Sequence, residues 1–248
     1  MKFHRTYLLS LFVLLMACEP TTKKESKSQK RPENGEMKQY RADGSVKTLI
    51  TYKNGKKNGV SKNFYENGKV RQQVEYVDNI KHGTAITYYE SGKKFQVTPY
   101  VDGKITGVRE KYRMNGALTT EAPYKEDKPC SGLKEYLKDG ALKKKYPKIM
   151  VREIDNTLKN NEYIVELYMS DHSDDVMFYM GKLDNGGCIA SDAMKLVPQK
   201  PGLMQLKYNL PPGAFMMEEM NIIALVKTKL GNIYITTKKF NLAAENRG

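Results

Sequence analysis

Glycine returns every 24 residues through the middle of this chain, at Gly44, Gly68, Gly92, Gly116 and Gly140. Each is preceded by a short polar residue: Asp43, Asn67, Ser91, Asn115 and Asp139. Four residues before each glycine stands an aromatic ring, Tyr40, Phe64, Tyr88, Tyr112 and Tyr136, and eight after it comes another, Tyr52, Tyr76, Tyr100 and Tyr124. A second glycine closes the unit at Gly59, Gly83 and Gly107, then slips by one to Gly132. Most other letters differ between units. A period that holds without drift over five units means one supersecondary unit stacked on copies of itself, each touching mainly its neighbours.

The physics of the unit follows from its letters. Asn-Gly or Asp-Gly between alternating segments signals a hairpin, because the tight turn requires positive φ. Along the outgoing arm Val70, Gln72, Val74 and Tyr76 alternate with Arg71, Gln73 and Glu75, and Val46 to Tyr52 and Leu118 to Tyr124 keep that parity. Alternation with period two is a strand. Each unit is therefore two strands and two turns, paired edge to edge with the next. At about 4.8 Å between strands, equivalent rings recur about every 10 Å along a single sheet of about ten strands. Only positions that face the apolar side or turn the chain are held, so the remaining letters drift.

The Tyr-x-x-Asn/Asp-Gly turns (Tyr40–Gly44, Tyr112–Gly116, Tyr136–Gly140) and the stretch Tyr52-Lys53-Asn54-Gly55-Lys56 with Gly59 resemble the MORN repeat, in its bacterial antitoxin-like variant, over roughly residues 36–146. Tyr and Phe hold the ring positions, and the chain contains no Trp. The resemblance implies a β-meander scaffold that binds proteins or membrane surfaces and performs no chemistry. An antitoxin role is set aside, because the chain begins with an export signal.

That signal is MKFHRTYLLSLFVLLMAC: a basic start, an apolar run from Tyr7 to Met16, and Leu15-Met16-Ala17-Cys18. The run is too short to span a bilayer and reads as a secretory leader. Its end resembles the bacterial lipobox, which implies cleavage before Cys18 and lipidation of that residue. The expectation is a leader over 1–18, a flexible spacer over 19–37 that is too polar to fold, and an anchor in the cell envelope, in the outer membrane. The repeat sheet then occupies 38–146 and a second domain 147–248.

From Pro147 the period stops. Apolar runs at 149–154, 163–169, 176–180, 188–196, 203–210, 222–228 and 233–240, separated by turn residues, read as seven short strands of a β-sandwich. Leu210-Pro211-Pro212-Gly213 resembles the strand E to F connection of fibronectin type III domains, giving an immunoglobulin-like or fibronectin-III-like expectation for this half. The fold class is therefore all-β throughout, a repetitive antiparallel meander followed by a sandwich. Cys130 and Cys188 sit in different segments, and two distant cysteines form no framework; the sequence favours leaving them unpaired.

Charge separates the halves. Residues 38–146 carry 23 Lys+Arg against 12 Asp+Glu, a net +11, whereas 147–248 carry 12 of each. Only the repeat region invites an anionic partner. Nucleic acid is not expected for an anchored protein outside the cytoplasm. No catalytic set is visible. After the leader only His82 and His172 remain, in different halves, and no metal-ligand spacing, nucleophile elbow or phosphate loop occurs. No metal or cofactor is expected. A carboxylate pair has no local spacing rule, so a hydrolase stands as the minority reading.

Binding has the better case. Arg109, Lys111 and Arg113 alternate with Val108 and Tyr112, and Tyr89 and Tyr65 stand at the level of Arg113 in earlier units. Together these five predict a flat cationic and aromatic patch. It would suit an acidic glycan, a lipid head group or an acidic protein strip. The plainer alternative is a solvated basic face that keeps a long sheet soluble. The reading is a non-catalytic, lipid-anchored envelope protein that binds or scaffolds another envelope protein, with a glycan- or anion-binding role as the rival.

Overall fold

A computed structural model describes residues 31–248. The leader, Cys18 and the spacer to residue 30 lie outside them. Pro32 to Gly248 form one compact unit.

The repeat region is a twelve-stranded antiparallel sheet. Its strands are β1 Gly35–Tyr40, β2 Val46–Lys53, β3 Lys56–Lys57, β4 Gly59–Phe64, β5 Val70–Val77, β6 Ile80–Tyr88, β7 Lys94–Val101, β8 Lys104–Ile105, β9 Gly107–Tyr112, β10 Leu118–Lys125, β11 Lys128–Pro129 and β12 Lys134–Glu135. The main path runs in chain order, β1-β2-β4-β5-β6-β7-β9-β10-β11, with β12 also on β10. The first strand corrects the spacer boundary: Gly35, Glu36 and Met37 pair with Tyr52, Thr51 and Ile50. A mostly polar edge strand has no alternation by which a sequence could announce it.

Two turn designs alternate. At the 24-residue glycines Gly44 donates its N–H to Arg41 O (3.1 Å) while Arg41 N–H reaches Ser45 O (2.8 Å), a three-residue loop. Gly44 alone has positive φ, 84°, and Asp43 is not left-handed. This is a type I turn closed by a bulge glycine. Asp43 instead accepts the Ser45 N–H (2.9 Å). The two-residue turns fall between units, at Asn54-Gly55, Asp78-Asn79, Asp102-Gly103 and Glu126-Asp127, where both central residues have φ between 48° and 84°.

The parity read from the sequence holds. Ile50, Val74, Thr98 and Ala122, one per unit, are all buried. Opposite them, Val74 pairs with Ser61 and Ala85, and Ala122 with Arg109.

The C-terminal half packs two antiparallel sheets. One has the order β13 (Ile149–Asn156), β14 (Glu162–Met169), β17 (Leu203–Asn209). The other has the order β16 (Met194–Lys195), β15 (Val176–Met180), β18 (Phe215–Lys227), β19 (Ile233–Glu245). Three strands face four around Val165, Leu167, Met169, Phe178, Met220, Ile222, Ala224 and Leu242. Leu210–Gly213 joins β17 to β18.

Three expectations change here. The strand read at 188–196 shrinks to Met194–Lys195, and the preceding loop lays Leu183, Ile189 and Ala193 over Ile223 and Leu225 on the outer face. The run Phe215–Glu219 extends β18 despite losing strict alternation, because it pairs with Asn241–Glu245 of a lengthened β19. One helical turn, α1 (Thr157–Asn160), follows β13, held by Asp155, which accepts the Thr157 N–H at 2.9 Å and hydroxyl at 2.7 Å.

Candidate binding face of the repeat sheet

The five residues read as one patch occupy three different settings. Tyr65 OH donates to Tyr88 O (2.6 Å) and Tyr89 OH to Tyr112 O (2.8 Å). Arg113 donates to Tyr136 O (2.8 Å), and Arg41 does the same to Phe64 O. These four positions are 24 apart, and each reaches the main chain of the next unit. They form a ladder of clamps, and their polar atoms are spent on the scaffold. Three of the four stand out in the sequence without revealing this task, since a repeated Tyr looks the same whether it holds a neighbour or awaits a ligand.

Arg109 lies over its own unit's ring, its guanidinium 4.4 Å from the centroid of Tyr124 and donating to that hydroxyl. Its Nε is buried without a partner. Lys57 over Tyr76 (5.3 Å) and Lys81 over Tyr100 (4.8 Å) repeat the theme of cation on tyrosine. Tyr112 donates to Glu110, which pushes its phenol up to about 12 and keeps it protonated.

Lys111 enters a joint that no sequence pattern predicted. Its Nζ donates to Asn232 Oδ1 (2.9 Å), a side chain from the β18–β19 turn. Asn232 is fully buried and donates to Thr120 Oγ1 (3.1 Å) and Glu135 Oε1 (2.8 Å). Thr228 donates to the same Glu135 oxygen (2.6 Å), and Lys143 to the other (2.8 Å). Burial opposes the charge on Glu135, but hydrogen bonds from Lys143, Thr228 and Asn232 outweigh it and hold the carboxyl below its ordinary range. Burial, then the neighbouring Arg109, pulls the Lys111 ammonium down.

Beside this joint Cys130 and Cys188 form a disulfide, Ser131 N–H reaches Gly187 O (2.8 Å), Lys125 pairs with Asp184 (3.2 Å), and Tyr146 stacks on Tyr234 with centroids 4.3 Å apart. The bridge corrects the expectation of unpaired cysteines. Among the described residues, each hydrogen bond, ion pair and disulfide joining the sheet to the sandwich falls on units four and five. One signal in the sequence pointed there: positions 39, 63, 87 and 111 are Gln, Asn, Thr and Lys, and only position 135 is acidic.

The other chemistry-bearing groups are satisfied internally. Glu166, also buried, is held by Arg152 and by Gln205 (2.8 Å). His82 lies 3.5 Å from Asp102, and His172 stacks on Tyr168. Among the described residues no three His, Cys, Asp or Glu side chains gather as a metal site.

With this geometry in view, comparison with known families decides one point. A family described as MORN repeat variant matches residues 33–54, 57–78 and 81–102. Units one to three are thus similar to MORN repeats. No curated protein matches the chain. Repeats of this family commonly mediate protein or membrane binding. The matched stretches run from one inter-unit turn to the next, so they divide the chain at the two-residue turns and keep each bulge-glycine hairpin whole. Beyond residue 102 the MORN pattern continues in geometry: Gly116 N–H still bonds Arg113 O (2.8 Å) and Gly140 N–H bonds Leu137 O (3.0 Å).

Proposed function

We propose that this protein is a non-catalytic lipoprotein, anchored through Cys18 in the outer membrane, whose repeat sheet binds or scaffolds another envelope protein. The reading rests first on how the sheet treats its own C-terminal half. Units four and five seat a protein turn through Glu135, Thr120 and Lys111 on one side and Asn232 and Thr228 on the other. Units one to three repeat the same strand geometry, with no such cover among the described residues. That the same strand register recurs along those units supports a role in receiving a partner's turn. The leader and Leu15-Met16-Ala17-Cys18 support the anchor.

The rival reading, an anionic glycan or head group, is favoured by Lys57, Lys81 and Arg109 lying on the tyrosine row. In-cell photo-crosslinking from Thr87 separates the two, with Cys18→Ser as the anchoring control. The expected result is a discrete protein adduct in the membrane fraction that leaves that fraction with Cys18→Ser. An adduct with lipid or glycan alone would remove the protein-scaffold reading.

A further inference from the structure

We infer that units one and two carry a second seat, built like the occupied one but with its carboxylate missing, and that its occupant is an acidic turn of a protein partner. The inference rests on the protein-binding reading above and adds what the partner must present.

The argument is a comparison of equivalent positions. In the occupied seat Glu135 and Lys143, eight residues apart, are ion-paired at 2.8 Å, and the seated turn bonds to that carboxylate. Three units earlier the same two positions are Asn63 and Arg71, and one unit before that Gln39 and Lys47. The cation is kept and the acid is replaced by an amide. A hollow of about 400 Å³ opens there, lined by Arg41, Lys47 and Arg71 and by neutral side chains including Asn63 and Gln72. An adjoining hollow of about 660 Å³ shares the three cations and brings Tyr65, with Glu66 and Glu90 also on its lining.

Arg41 is committed to the carbonyls of Val46 (2.9 Å) and Phe64. Lys47 and Arg71 are exposed, and among the described residues neither makes an ion pair. The seat thus holds two available cations, amide groups to orient an oxygen, and no acid in the place that Glu135 fills elsewhere. A carboxylate brought by the occupant completes the same arrangement with the charge on the other partner. The shape of the occupant is also on display. The turn seated on units four and five closes with Thr228 N–H to Asn232 O (2.8 Å) and Gly231 N–H to Thr228 O (2.8 Å). It is the same three-residue turn that the repeats themselves use.

The test uses the full chain and a displayed library of β-hairpins whose three-residue turn and its two flanking positions are randomised. Selected hairpins should carry Asp or Glu at a flanking position. Their affinity should fall ~10-fold or more on Lys47→Ala/Arg71→Ala and return with Lys47→Arg/Arg71→Lys. Both side chains are exposed, so the fold is not at risk. Selection of turns without acidic residues, or acidic turns that bind the double alanine variant equally well, would overturn the seat. So would the absence of any selected hairpin, or displacement of the hairpins by inorganic phosphate at micromolar concentration, which would assign the site to a small anion. If hairpins instead bind another part of the sheet, the acidic seat fails while the protein-binding reading stands.

Discussion

The two halves of this molecule hold themselves together in opposite ways. In the sandwich, Val165, Leu167, Met169, Met220, Ile223 and Ala224 are wholly removed from water, most of them inside one two-layered core. In the repeat sheet the buried side chains are thinly spread along the units, Ile50, Tyr52, Val74, Ala85, Thr98, Thr120 and Ala122 among them. A core pooled between two layers concentrates stability in a few side chains. A single-layered array spreads it over caps, turns and clamps, which is the expected pattern for repeats that touch only neighbours. The difference also predicts how a truncation is felt in each half.

The sharpest way to break this contrast is a matched pair of truncations. Leu167→Ala should cost about 2–5 kcal/mol, since it opens a cavity in a closed core. Val74→Ala, on a thin sheet able to settle, should cost about 1–2 kcal/mol. Urea unfolding of both variants checks this, and equal losses would erase the distinction.

A smaller effect is expected at the joint. Glu135→Gln keeps the shape but weakens the bonds from Lys143, Thr228 and Asn232, for about 1–3 kcal/mol. Because the Glu135 carboxyl is depressed in the folded state, its contribution is complete above the ordinary carboxylate pKa of about 4.3 and drains away as pH falls through the folded value. Thermal midpoints measured from pH 6 down to pH 3 should therefore fall less steeply in Glu135→Gln than in the parent. Parallel slopes would show that the joint does not depend on this charge.

The smallest change is Tyr89→Phe, which removes one clamp to Tyr112 O and leaves the ring in place. It should cost about 0.5–1.5 kcal/mol, read as a slight shift of the urea midpoint. It should also leave hairpin binding at units one and two unaltered. A large loss would mean that the clamps carry more of the array than the buried row does.

How legible all this was depended on range. The period, the parity and the turn glycines are local, and they survive translation into three dimensions residue by residue. The turn subtype was less visible: Asp43-Gly44 suits either a two- or a three-residue loop, and only the bond from Arg41 to Ser45 decides between them. The start of β18 was lost because Phe215–Glu219 faces Asn241–Glu245, well beyond any local pattern. Cys130 with Cys188 and Glu135 with Asn232 are meetings across 58 and 97 residues, and no neighbouring letter records them. Tyr65, Tyr89 and Arg113 stand out in the sequence as equivalent positions, yet their use as clamps depends on carbonyls 23 residues away.

The ladder that links one unit to the next also sets a scale. Because every clamp spans 23 residues and ends on the adjacent unit, excising residues 65 to 88 would leave Arg41 on Phe64 and Tyr89 on Tyr112 undisturbed. The array can thus lengthen or shorten only by whole units, moving its free end toward or away from the sandwich in increments of about 10 Å. Such a chain behaves as a ruler with fixed graduations, and the reach of the molecule is written in the number of its glycine turns.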